Sequence, residues 1–138
     1  MMIKRHMEYQ LKEIPVMYLE TRDLSNEIPA TFNDLESRLD TLRGRKFYGT
    51  FNGIDQIYQA CVAIKDGDDP KSLGLKMGVV VGGLYARAKV TDWVENIRMI
   101  GEKFDQLAEE YKDRIDNTRP NVEYYRSHSE VLCLLPIE

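Results

Sequence analysis

Hydrophobic positions recur with two different periods along this chain, and the switches between them mark its elements. Residues 6–22 read as extended, because H-M-E-Y-Q-L-K-E-I-P alternates roughly and V-M-Y-L-E-T-R continues beyond Pro15. A proline at that point predicts a sheet edge or a bulge. Ile28, Phe32, Leu35, Leu39 and Leu42 then form a single apolar stripe at helical spacing and predict a helix over 28–43. Pro29 suits its first turn and Gly44 its stop. Two short strands follow, K-F-Y-G-T-F and I-Y-Q-A-C-V-A-I, with N-G-I-D between them and the loop K-D-G-D-D-P-K-S after them.

The second half opens at residue 75 with the glycine-punctuated strand L-K-M-G-V-V-V-G-G-L-Y-A-R-A-K-V. Its latter part places Leu84, Ala86, Ala88 and Val90 on one face and Tyr85, Arg87 and Lys89 on the other, which suggests that the second face is wet. The longest predicted helix covers 92–115. Asp92 and Glu95 form a capping-box-like start, and Trp93, Ile97, Ile100, Phe104, Leu107 and Tyr111 form its stripe. The strands V-E-Y-Y-R-S and V-L-C-L-L-P-I close the chain.

Side by side, both halves read strand, helix, strand, strand. Two such repeats predict an α+β domain spanning 1–138, with one antiparallel sheet, two main helices and a central ligand cleft. Tyr18 and Tyr85 occupy comparable places before the two helices.

Composition narrows the function. A net charge of −4 and no basic cluster beyond R-G-R-K argue against direct contact with nucleic acid. No segment is apolar enough to span a membrane, and the N-terminus lacks the apolar run of a signal peptide. Cys61 and Cys133 sit in apolar runs, so the expectation is two buried, reduced thiols in a cytoplasmic protein. There is no C-x-x-C, so neither a zinc site nor a redox pair is suggested, and no cofactor is implied. His6 and His128 read as surface residues. Ser127, His128 and Ser129 are consecutive and cannot face one another as nucleophile and base, so no catalytic residue is assigned. The glycines at 78, 82 and 83 lack the strand-then-helix context of a phosphate loop.

The candidate chemistry lies in N-V-E-Y-Y-R-S-H-S at 121–129. Glu123 and Tyr125 share one strand face, Val122 and Tyr124 the other. On this pattern alone Glu123 either faces water or forms the floor of a cavity beside an aromatic ring.

Three segments carry a resemblance to the GyrI-like superfamily, the AraC-type effector-binding domain found in multidrug-sensing regulators. They are I-Y-Q-A-C-V-A-I at 57–64, V-G-G-L-Y-A at 81–86, and V-E-Y-Y at 122–125 followed by E-V-L-C-L-L-P-I. The resemblance implies two strand-helix-strand-strand units around a cleft that binds small, often cationic and aromatic molecules. It places Glu123 at the pocket base facing the cation, with Tyr125 and Tyr85 at matching aromatic positions. Trp93, Tyr18 and Tyr58 are further aromatic candidates for the lining. No helix-turn-helix fits before or after the domain, so the expectation is a stand-alone binding module.

A pocket carboxylate suits a cation physically. Burial penalises its charge, a bound cation offsets that penalty, and each aromatic face adds about 0.5–2 kcal/mol of cation–π attraction. Two alternatives remain at this point. One is a protein-partner module of the topoisomerase-inhibitor kind, and the other is a hydrolase of small electrophiles. A homodimer would cover exposed strand edges.

Overall fold

The computed structural model describes residues 7–24 and 26–138, so His6 lies outside the described residues. Eight strands and two helices follow one another as β1 (Met7–Leu11), β2 (Ile14–Thr21), α1 (Ile28–Ser37), β3 (Phe47–Asn52), β4 (Ile57–Ala63), β5 (Lys76–Val80), β6 (Gly83–Thr91), α2 (Ile97–Glu110), β7 (Asn121–Ser127) and β8 (Glu130–Pro136). All strand pairs are antiparallel and make one sheet of order β1-β6-β8-β7-β3-β4-β2-β5, curled into a half-barrel.

The predicted four-element unit gains a strand. Each half runs strand, strand, helix, strand, strand, and its first strand crosses over: β1 pairs with β6, and β5 with β2. The long strand expected from residue 75 is therefore two. It breaks at Val81–Gly82, where a Cβ on Gly82 would stand 2.8 Å from the backbone nitrogen of Glu13 and 3.1 Å from the carbonyl of Leu11. Only glycine admits the turn between β1 and β2 so closely.

Pro15 is neither at an edge nor in a bulge, because β2 runs between β4 and β5. Its carbonyl accepts the Ile64 N–H at 3.1 Å, just past the last β2–β4 pair, Val16 with Ala63. The missing proline N–H therefore falls where that ladder is already ending.

Both helices are shorter than their apolar stripes. Helix α1 stops at Ser37, and the Arg38 guanidinium ties its end to Asp34 and to the carbonyls of Leu73 and Gly74. Leu39 and Leu42 leave the helix, and Leu42 is exposed. Helix α2 starts at Ile97 rather than 92. Asp92 has φ +52°, its N–H donates to the Ser129 carbonyl at 2.6 Å, and its own carbonyl accepts from the Glu95 N–H. Residues 92–96 are thus a turn docked on the β7–β8 connection, and no capping box forms.

One sheet face carries the helices. Helix α1 packs on β2 and β4, and α2 on β6 and β8. Met17, Leu35, Ala60 and Val62 fill the space beneath α1, while Ala86, Ala88, Leu107 and Cys133 fill that beneath α2. The central pair β3–β7 lies between these two packed wings. The opposite face holds its own core of Val16, Tyr48, Cys61, Tyr85, Val122 and Leu134. This second core corrects the expectation of a wet face at Tyr85, which is 0% exposed.

Candidate functional site

The junction of the two halves is the β3–β7 ladder, and there Gly49 stands opposite Glu123. Both belong to the helix-bearing face. Tyr58 lies on β4, one strand further out, and its ring crosses β3 above Gly49. A Cβ on Gly49 would fall 1.8 Å from the Tyr58 phenol oxygen and 2.8 Å from Glu123 Oε1. Glycine inside a strand normally weakens it, and a close approach of another group is the usual reason to find one.

Two phenols converge on one carboxylate oxygen. Tyr58 donates to Glu123 Oε1 at 2.6 Å and Tyr125 donates to the same atom at 2.5 Å, their hydroxyls 3.3 Å apart. Oε2 has no donor among the described residues. Burial raises the Glu123 carboxyl above the ordinary 4.5, and the two phenol bonds oppose that shift. Burial, and then the Glu123 charge, hold the protons on Tyr58 and Tyr125 well above the ordinary 10. Both remain donors at neutral pH.

Aromatic rings close one side of this triad. Phe32 of α1 meets Tyr125 edge-on at 5.4 Å and Tyr58 at 6.1 Å. Trp93 meets Tyr125 edge-on at 5.0 Å and donates its indole N–H to the Ser127 carbonyl at 3.0 Å. Edge-to-face pairs of this kind contribute about 0.5–1.5 kcal/mol each beyond area burial. Cys133 stands opposite Glu123 on β8. Burial pushes its thiol up to about 12, so it stays protonated.

The other side is open. Glu123 and Tyr58 form part of the wall of a cavity of about 270 Å³. Leu24 and Ile28 contribute from the first helix and its approach, and Phe51 and Asn121 from the central strands. Gly101, Phe104 and Asp105 contribute from α2. The wall is mainly apolar, carries two carboxylates and includes no basic side chain. Among the described residues no group of three or more His, Cys, Asp or Glu is placed to hold a metal ion, and no helix is long and apolar enough to cross a membrane.

Of the six residues singled out from sequence, four gather here. Glu123, Tyr125 and Tyr58 share hydrogen bonds, and Trp93 packs behind them. Trp93 does so from the turn before α2, not as the first member of the helix stripe. Tyr85 and Tyr18 lie on the opposite sheet face. The Tyr85 hydroxyl donates to the Val81 carbonyl at 2.5 Å, and the Arg119 guanidinium lies 4.8 Å from its ring centroid. Tyr18 covers Gly78 of β5. Sequence reasoning missed Gly49, whose signal was a glycine inside the strand K-F-Y-G-T-F. It also missed Ile28, Phe32 and Phe104 as site residues, because stripe positions at helical spacing read as core.

No family model matches the chain, and no curated protein matches it in sequence. Solved structures match its fold. The structure of SAV2435 bound to tetraphenylphosphonium aligns with TM-score 0.68 at 11% identity, covering 98% of this chain and 94% of that one. A putative bacterial transcription regulation protein from Staphylococcus aureus MU50 aligns with TM-score 0.61 at 10% identity, covering 95% and 97%. A hydrolase from Listeria innocua aligns with TM-score 0.55 at 12% identity, covering 98% and 92%. The shared architecture is consistent with the GyrI-like fold that the sequence motifs imply. Three such different proteins on one fold leave the function to be argued from the site.

Proposed function

We propose that this protein is a GyrI-like small-molecule binding domain whose ligands are lipophilic, aromatic cations held against Glu123. The observation that carries this reading is the bonding of one carboxylate. Oε1 is held by two phenols, Oε2 has no donor among the described residues, and Glu123 lines an apolar-walled cavity without a basic side chain. An ionised carboxylate in such a place carries a desolvation penalty that the two phenol bonds offset only in part. A cation entering the cavity removes it, and the Tyr58, Phe51 and Phe104 rings offer apolar contact to the rest of the ligand. The tetraphenylphosphonium complex of a protein with this fold supports the same ligand class.

Hydrolysis has less support. Tyr58 and Tyr125 keep their protons far above neutral pH, so neither is poised as a nucleophile or base. The partner-inhibitor alternative rests on net charge alone.

The test is a thermal-shift titration of the wild type and Glu123→Gln with tetraphenylphosphonium and with a neutral aromatic of similar size. A ligand that binds only the folded state stabilises it by about 2.7 kcal/mol at a hundred times its Kd. The cation is expected to raise the melting temperature of the wild type and not of Glu123→Gln. Equal shifts in both proteins would remove Glu123 from the site.

A further inference from the structure

Glu123 is not the only acid on the cavity wall. Asp105 reaches the same cavity from α2, one turn after Gly101 and beside Phe104. It makes no ion pair among the described residues. Its neighbours one turn away on α2 are Gly101, Glu102, Ala108 and Glu109, so the helix supplies no base to neutralise it. The two carboxylates approach the cavity from different layers: Glu123 from the sheet and Asp105 from the helix above it.

A ligand with one positive charge can face only one of them. When such a ligand sits at Glu123, the Asp105 charge, at an exposed position with no basic residue one turn away on its helix, still lacks a counter-charge on the cavity wall. A flat ligand with a positive group at each end answers both charges and keeps its apolar body against Ile28, Phe51 and Phe104. We infer that the cavity is built for aromatic dications, with one cationic end at Glu123 and the other at Asp105, an inference that rests on the cation-binding reading above.

The experiment measures Kd by calorimetry at low ionic strength for benzamidine and for two dications, benzene-1,4-dicarboxamidine and biphenyl-4,4′-dicarboxamidine. These share one headgroup and differ in charge number and in the separation of the charges. The better-fitting dication is expected to bind the wild type at least roughly tenfold tighter than benzamidine, the scale of one added charge contact near a protein surface. Asp105→Asn, an exposed helix position, should abolish that advantage, so that both dications bind the variant no tighter than benzamidine binds the same variant. Glu123→Gln should weaken all three. The inference is overturned if both dications bind no tighter than benzamidine, or if Asp105→Asn leaves the ratio intact. If none of the amidines and no other cation binds the wild type, the cation-binding reading falls and takes this inference with it.

Discussion

Gly49 and Glu123 face each other across the ladder that joins the two halves, and the Tyr58 phenol occupies the space a Gly49 side chain would need. The close approach lets a tyrosine on β4 reach a carboxylate two strands away. One small residue thereby governs the hydrogen bonding of the acid at the floor of the cavity.

Gly49→Ala therefore has a defined consequence. The new methyl would stand 1.8 Å from the phenol oxygen and 2.6 Å from ring carbon Cζ, so Tyr58 must leave Glu123. Overpacking of this kind costs about 1–3 kcal/mol, readable as a drop in the urea midpoint. Adding Tyr58→Phe should recover only part of the loss, because the ring carbon still clashes. A Gly49→Ala protein with unchanged stability and cation affinity would show that Tyr58 does not depend on the glycine.

Cation binding should weaken as pH falls, with a midpoint above the 4.5 of an ordinary glutamate. Burial raises the Glu123 carboxyl, so it takes up a proton at a higher pH than a free side chain, and the neutral acid no longer attracts a cation. The stability of the unliganded protein moves the other way. Between the ordinary and the raised value the folded state binds more protons than the unfolded one, so this group's contribution falls as pH rises through that window. Tyr125→Phe removes a donor that opposes the shift and should move the binding midpoint higher still. Calorimetric titrations between pH 4 and pH 8 would read both midpoints, and a pH-independent Kd would contradict the role of Glu123.

The two sheet faces explain how much of this was legible beforehand. The alternation in V-E-Y-Y put Glu123 and Tyr125 together because the strand period is fixed by the backbone. It could not say which face was inside, and here both faces are covered. That is why Tyr85, flanked by Arg87 on the same strand face, was read as wet and is wholly buried. The stripes gave both helices but overran their ends. Arg38 binding to Leu73 and Gly74, and Asp92 to Ser129, are long-range contacts invisible to periodicity. The crossing of β1 and β5 between halves left no local trace. The glycine within K-F-Y-G-T-F was visible, but its purpose appears only when Tyr58 is laid across it.

Away from the cavity, Arg45 and Asp68 form a two-pronged ion pair at 2.6 and 2.8 Å, with side chains 5% and 10% exposed. Asp68 also accepts the Lys65 N–H at 2.7 Å. Asp68→Asn is expected to cost about 2–3 kcal/mol, because it leaves the buried Arg45 charge with only the exposed Asp40, at 3.7 Å, as an ionic partner. The Arg45 hydrogen bond holds the Asp68 carboxyl below its ordinary 3.8. Its stabilisation is thus complete above that value and lost as pH falls through the lowered one. Chemical denaturation at pH 7 and pH 3 should show a smaller difference between wild type and mutant at the lower pH. The same difference at both would deny the pair its electrostatic role.

Gly101 offers the cleanest separation of fold from function. It lies on α2, it lines the cavity, and a Cβ placed on it meets no atom within 4 Å. Glycine inside a helix costs about 0.5–1 kcal/mol relative to alanine, so Gly101→Ala should raise stability by that amount and still bind cations. Gly101→Phe starts from the same open position but projects a ring into the cavity. It should keep the far-ultraviolet circular dichroism and melting behaviour of the alanine variant while weakening cation binding at least roughly tenfold, by occupying the ligand's volume. Parallel melting curves and calorimetric titrations of the three proteins would decide the matter. Undiminished binding by a folded Gly101→Phe protein would mean that the ligand sits elsewhere than between α2 and Glu123.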